Sequence, residues 1–248
     1  NCKIGVMATD DEAYKTFGDL FGPIIKDLHP GFDFRYSYKH EELEPQMFDA
    51  QMKTLELSVK KAVDYKIEIS RNFRGTPFTP LMTKEAKLQV ERKVVEVLGD
   101  LYGSYTQLQK LSDNDCDWMR AAIGIDPKTT SKEHDAAGIN DDWPVGRGVF
   151  IQDNKDFLVF VNLEEHLKLV VIPDRTNPND TIFEGYTRAI KLIKTFEKLT
   201  YATDPYLGNL TVSPQNLGTA MRLSCTVRLQ DPDGGEGMAQ KKISKELQ

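Results

Sequence analysis

Glu164, Glu165, His166 and Lys168 follow closely on an apolar run, Phe157-Leu158-Val159-Phe160-Val161. Two carboxylates, an imidazole and an ammonium at the end of a buried strand could hold a cationic substrate, move a proton or neutralise an anion. The residue types alone choose none of these. An acidic pair is more often a solvated turn than a catalytic pair. His166 has no partner at metal-ligand spacing, so it reads as a structural histidine. Gly146-Arg147-Gly148 reads as a turn and is a weak phosphate signal on its own. The sequence contains no GxxxxGK[ST] loop, no HRD or DFG signature, no HExxH and no EF-hand loop.

A hairpin must position the acidic pair. Val149-Phe150-Ile151 forms one apolar strand, Asp153 to Asp156 a polar turn and Phe157 to Val161 the return; Leu167 to Ile172 is a further strand. Upstream, Tyr65-Lys66-Ile67-Glu68-Ile69 alternates as a half-buried strand does. Short strands are expected at Tyr105–Leu108, Leu210–Val212 and Met221–Leu229. Helices are expected over residues 10–28, capped by Asp10 and bent or broken at Pro23; over Met47–Val63; over Thr83–Leu98, with Thr83 as N-cap; and over Thr181–Leu199. Asp113–Asp117 reads as an acidic run and Asp126–His134 as polar and exposed. Hairpins dominate over βαβ units, which predicts an α+β fold with an antiparallel sheet flanked by helices.

Composition sets outer limits. The chain has 248 residues, 40% hydrophobic and 28% charged, as is ordinary for a soluble globular protein. Its longest strongly apolar run, Phe157 to Val161, is too short to span a membrane. A formal net charge of −6 disfavours nonspecific nucleic-acid binding. Cys2, Cys116 and Cys225 lie far apart without a CxxC, which argues for a reducing compartment, the cytoplasm, and against a metal site or a disulfide framework. The start, Asn1-Cys2-Lys3, has neither an initiator Met nor a signal peptide, so the chain reads as part of something longer.

Four blocks give the chain a wider context. WPVGRGVF from Trp143 leads through the hairpin to VNLEEHLK ending at Lys168, and Leu207–Thr219 is followed by Met221-Arg222. Ser70–Phe78 and Ile4-Gly5-Val6 with Asp10–Tyr14 complete the set. In order and spacing these blocks resemble the phosphagen (guanidino) kinases, the family of arginine and creatine kinases, over roughly residues 4 to 229. The resemblance implies a remnant of a small helical N-terminal domain at residues 1–45, a catalytic-type domain at 46–230 and a flexible tail at 231–248, with a boundary near Pro45.

The resemblance also assigns roles. Glu164 matches the carboxylate that holds the substrate guanidinium, and Ser213 stands where active members have a reactive cysteine. A serine hydroxyl keeps its proton at neutral pH and cannot supply a thiolate's charge. Lys66, Arg71, Lys168 and Arg222 are the cations left to hold a nucleotide, and Glu68 falls where a clamp arginine is expected. Thr226 replaces a base-contacting histidine, and Ile4, Gly5 and Met7 represent part of the guanidine-specificity loop, with Met7 in place of an aromatic residue. No counterpart of the family's C-terminal clamp arginine and mobile loop lies between Asp231 and Gln248.

The resemblance implies Mg-ATP or ADP and a guanidino small molecule if the chain is active, and no cofactor otherwise. The eroded clamp favours a degenerate member acting as a structural or interaction subunit, as a homodimer or docked on a larger, for example cytoskeletal, assembly. An active ATP:guanidino phosphotransferase and a nucleotide sensor without transfer are the alternatives.

Overall fold

The structure, a computed structural model, describes residues 5–33, 35–36, 62–177 and 179–227. Ile4, the boundary near Pro45, the tail from 231 and all but the last two residues of the expected Met47–Val63 helix lie outside them. Those last two residues, Ala62 and Val63, open a strand instead.

Six strands form one antiparallel sheet in the order β2 (Gly103–Gln107), β3 (Gly148–Gln152), β4 (Phe157–Val161), β5 (Leu167–Val171), β1 (Ala62–Arg71), β8 (Met221–Val227). Strand alternation separates the sheet into two chemically different faces. Tyr65, Ile67, Ile69, Leu167, Leu169 and Val171 point to one face. They pack against Val90, Val94 and Val97 of α3 (Lys84–Leu98) and against Tyr186, Ala189, Ile190 and Ile193 of α6 (Ile182–Thr195). Both helices start on the residues that the sequence marks. Thr83 accepts from Ala86 N–H, and Thr181 forms a reciprocal capping box with Glu184. The helix expected to reach Leu199 ends at Thr195, with one 3₁₀ turn, Glu197–Leu199, beyond it.

On the opposite face Val149, Leu158, Phe160 and Val170 pack against Cys116, Met119 and Ile123 of α4 (Asp113–Ile123). This helix replaces the acidic run expected at Asp113–Asp117. Ser112 caps it, and its acids sit at the positive end of the helix dipole. The neighbouring polar segment likewise contains a short helix, α5 (Lys132–Ala136), capped by Ser131. No β1 residue belongs to the apolar cluster under α4. The β1–β8 side of this face carries Lys66, Glu68 and Arg222 instead.

A third cluster seats the N-terminal helices α1 (Ala13–Thr16) and α2 (Gly18–Leu28). Tyr14, Phe21 and Ile25 pack with Phe78, Leu207, Leu210, Val212 and Leu217. The break expected at Pro23 occurs at Phe17. There Phe17 N–H closes α1 on Ala13 O, while Phe17 O accepts from Leu20 and Phe21. Pro23 removes one helical bond, but burial of Phe21 and Ile25 on either side holds α2 through it. Asp10 does not cap the helix. Its Oδ1 accepts from Glu12 N–H at 3.0 Å, and Glu12 occupies the N-cap position without a side-chain bond.

The expected strand at Leu210–Val212 is also displaced. β6 (Thr203–Asp204) pairs with β7 (Gly208–Asn209). The backbone beyond β7 bonds elsewhere: Leu210 N–H donates to Ala202 O, and Val212 O accepts from Ala8 N–H at 2.7 Å. Among the described residues no helix is long and apolar enough to cross a membrane.

Candidate functional site

A cleft of about 540 Å³ opens over the β1–β8 side of the sheet. Glu68 and Ser70 from β1, Lys168 from β5 and Arg222 from β8 form its floor, while Glu164, Ser213 and the His29–Phe32 segment after α2 form its walls. The sheet register explains the grouping. Glu68 lies directly opposite Arg222 in the β1–β8 pair, and Ser70 lies opposite Lys168 in the β1–β5 pair. Side chains two residues apart share a face, so Lys66, Glu68 and Ser70 point the same way.

Glu68 is clasped by two cations. Its Oε2 is 3.2 Å from Lys66 Nζ and its Oε1 is 3.1 Å from Lys168 Nζ. Glu68's side chain is 12% exposed and each lysine's 24%. Burial works against ionisation of Glu68, but Lys168 and Lys66 outweigh it and hold its carboxyl below the ordinary glutamate range. Lys66 also donates to Ile123 O at 2.9 Å, at the carbonyl end of α4. Both lysines are thus already engaged. Arg222 is exposed and makes no hydrogen bond or ion pair among the described residues, and neither does the side chain of Glu164.

The neighbouring acid has a different role. Glu165 is 1% exposed and accepts from Val212 N–H at 3.0 and 3.1 Å and from Asn72 Nδ2. Burial, with the nearby Glu164 charge second, pushes its carboxyl up to about 8. Asn72 also donates to Leu210 O at 3.2 Å and accepts from His166 N–H at 2.9 Å. One amide therefore ties the β4–β5 turn to the loop that bears Ser213. His166 is fully buried; Nδ1 accepts from Phe73 N–H at 3.0 Å, so Nε2–H donates to Pro77 O at 2.8 Å. Burial lowers its pKa to about 4, and the ring is neutral and structural. Thr79 Oγ1 donates to the main-chain O of Glu164 and fixes the turn from the other side.

Of the residues singled out in the sequence, Glu164, Lys168, Ser213 and Arg222 line one cleft, and Lys66 reaches it through Glu68. Arg71 does not line it. Its guanidinium is buried, donates to Ser70 O and Thr219 O, and lies 5.5 Å from the Tyr201 ring centroid. Ser213 caps the 3₁₀ turn Pro214–Asn216, its Oγ accepting from Gln215 N–H at 3.4 Å. Met7 packs at the edge of the third cluster and Gly5 is exposed; neither lines the cleft. Thr226 is exposed on β8. Asn72 and His29 were not singled out. A polar residue that follows a strand carries no mark of burial, and Asn72 acquires its role only through partners in two remote segments. His29 Nε2 lies 2.8 Å from Pro214 O, joining the end of α2 to the Ser213 loop. Among the described residues no group of three or more His, Cys, Asp or Glu side chains could hold a metal ion.

Comparison with known proteins bears on the family and the fold. The family described as ATP:guanido phosphotransferase, C-terminal catalytic domain, matches residues 85–232. The arginine kinase of Schistocerca americana is 32% identical over 237 residues, covering 91% of this chain and 63% of that protein. The arginine kinase of Limulus polyphemus is 33% identical over 234 residues, with 91% and 62% coverage. The chain thus spans less than two thirds of these relatives. The substrate-free duplicated taurocyamine kinase from Schistosoma mansoni superposes with a TM-score of 0.78 at 26% identity, over 90% of this chain and 32% of that one. A lombricine kinase crystal structure shares the fold with a TM-score of 0.79 at 24% identity, over 94% of this chain and 65% of that one.

Proposed function

The chain belongs to the ATP:guanido phosphotransferase family, and from that premise we propose that it is a catalytically degenerate member acting as a structural or interaction subunit. The observation that supports this reading is the seat of Glu68 between Lys66 and Lys168. Phosphoryl transfer in such a site depends on fixed cations covering the phosphate oxygens. Here one carboxylate cancels one of the two ammoniums and stands where further negative charge would have to enter. Among the described residues Arg222 is left as the cation without a partner on the cleft floor. The donor set therefore does not fit Mg-ATP. Ser213 adds to the deficit, since its hydroxyl caps a turn and has no thiolate charge to offer a guanidinium.

Without a nucleotide site, the working parts of such a subunit are its surfaces, in a homodimer or against a larger cytoplasmic assembly. The sequence boundaries at residues 45 and 230 belong to the same proposal. Calorimetry of the full-length protein with Mg-ATP tests it: no saturable heat is expected at millimolar nucleotide, and tight Mg²⁺-dependent binding would overturn it. A thermal-shift series with ADP and ATP checks the nucleotide-sensor alternative, because a ligand of the native state alone raises the melting point.

A second reading, an active ATP:guanidino phosphotransferase, draws on one observation. Glu164 and Arg222 line the same cleft with both side chains unengaged among the described residues. A coupled assay with arginine, creatine and taurocyamine decides it. ADP release above that of a Glu164→Gln control would establish this second reading.

A further inference from the structure

The misfit between the cleft and a polyanion has a specific cause. We propose that Glu68 is an intramolecular stand-in for a polyanion, so that this single carboxylate, and not a shortage of cations, closes the cleft to polyphosphate. The inference rests on the functional reading above and deepens it.

Three cations share the face. Lys66 precedes Glu68 by two residues on the same strand, Lys168 is its diagonal neighbour on β5, and Arg222 is directly opposite on β8. Glu68 bridges the two ammoniums with one oxygen each, at 3.2 and 3.1 Å, as an oxygen pair of a bound phosphate would. The bridge is not sealed in the core. Both lysines remain 24% exposed, and Glu68 and Lys168 line the open cleft.

The cations also have reasons to stay in place when the carboxylate charge is removed. Lys66 keeps its bond to Ile123 O, and the strand pairing that sets Lys168 and Arg222 is main-chain. Ser70, Asn216 and Thr219 line the same cleft and add neutral donors. Replacing Glu68 by a neutral residue changes the sum over these four side chains from two net positive charges to three, and, with Glu164 on the cleft wall counted, from one to two. The ligand class that answers closely spaced cations is a chain of linked phosphates. Phosphates of a nucleotide and inorganic polyphosphate share that chemistry, and the test separates them.

The full-length protein is titrated calorimetrically at low salt with inorganic tripolyphosphate and, separately, with ADP, both without divalent metal. Wild type, Glu68→Gln, Glu68→Ala and the double variant Glu68→Gln/Arg222→Gln are compared, with circular dichroism confirming the fold of each. Tripolyphosphate affinity is expected to rise at least tenfold in both single Glu68 variants, to fall again in the double variant and to weaken with added salt. A gain larger for ADP than for tripolyphosphate identifies a nucleotide-shaped site; equal gains identify a phosphate-only site. Folded Glu68 variants that bind neither ligand more tightly than wild type overturn the inference. Tight Mg-ATP binding by wild type, in contrast, overturns the functional reading and the inference together.

Discussion

Glu68 and Glu165 are both carboxylates withdrawn from water beside the same cleft, and the protein handles them in opposite ways. Glu68 meets two ammoniums and is held below the ordinary carboxylate range. Glu165 meets only N–H dipoles, from Val212 and Asn72, and burial pushes it up to about 8. Partner charge, more than depth, decides which of the two is ionised. The outcome separates their roles. Glu165 fixes the loop that bears Ser213, and its charge is incidental. Glu68 sets the electrostatics of the cleft, and its charge is the feature that matters.

The largest effect expected from that contrast is on stability. Glu165→Ala leaves the buried Val212 N–H and one N–H of the Asn72 amide without their acceptor, and should cost about 3 kcal/mol in urea unfolding. Glu68→Ala, which leaves no buried dipole without a partner, should cost much less; equal losses would erase the distinction.

The next effect is on pH dependence. A carboxyl whose folded pKa is raised binds its proton more tightly in the folded state. The resulting stability is full below about 4.5 and is lost as pH rises through about 8. His166 works the other way. Its pKa is lowered to about 4 from 6.5, so its contribution is full above 6.5 and is lost as pH falls toward 4. The window from about 6.5 to 8 therefore isolates Glu165. There the melting temperature of wild type should decline relative to Glu165→Gln. Parallel curves would show that Glu165 is ionised throughout.

A smaller effect is expected at Lys168. Lys168→Met removes one of the two partners of Glu68 at a partly exposed site, and should cost about 1 kcal/mol. The smallest concerns Ser213. Ser213→Cys restores a thiol but leaves Glu68 between the lysines, so a coupled assay should show no turnover above wild type; measurable turnover would move the deficit from Glu68 to the serine.

Legibility in the sequence follows the range of the interactions. The hairpin, the alternation of β1, the cap at Thr83 and the helix start at Thr181 are local, and the structure contains them where the sequence places them. The loss of the Leu210–Val212 strand depends on remote partners, Glu165 and Ala8 among them, which no local pattern records. At the site, the blocks of sequence place Glu164, Lys168, Ser213 and Arg222 near one another in function. The antiparallel register brings Lys168 and Arg222 to one face, and the bonds of Asn72 and Glu165 tie the Glu164 turn to the Ser213 loop. Arg71 diverges because its guanidinium finds main-chain carbonyls and the Tyr201 face on its own side of the sheet. Glu68 reads in sequence as an intruding acid. That it engages both lysines at once follows only from how β1 is paired with β5.

The most direct measurement of the central claim is the calorimetric titration of full-length wild-type protein with Mg-ATP at low ionic strength. A cleft whose two lysines are already held by Glu68 predicts no saturable binding. Micromolar affinity that disappears in Arg222→Gln would mean that the lysines let go of Glu68 for a nucleotide, and the account would fail.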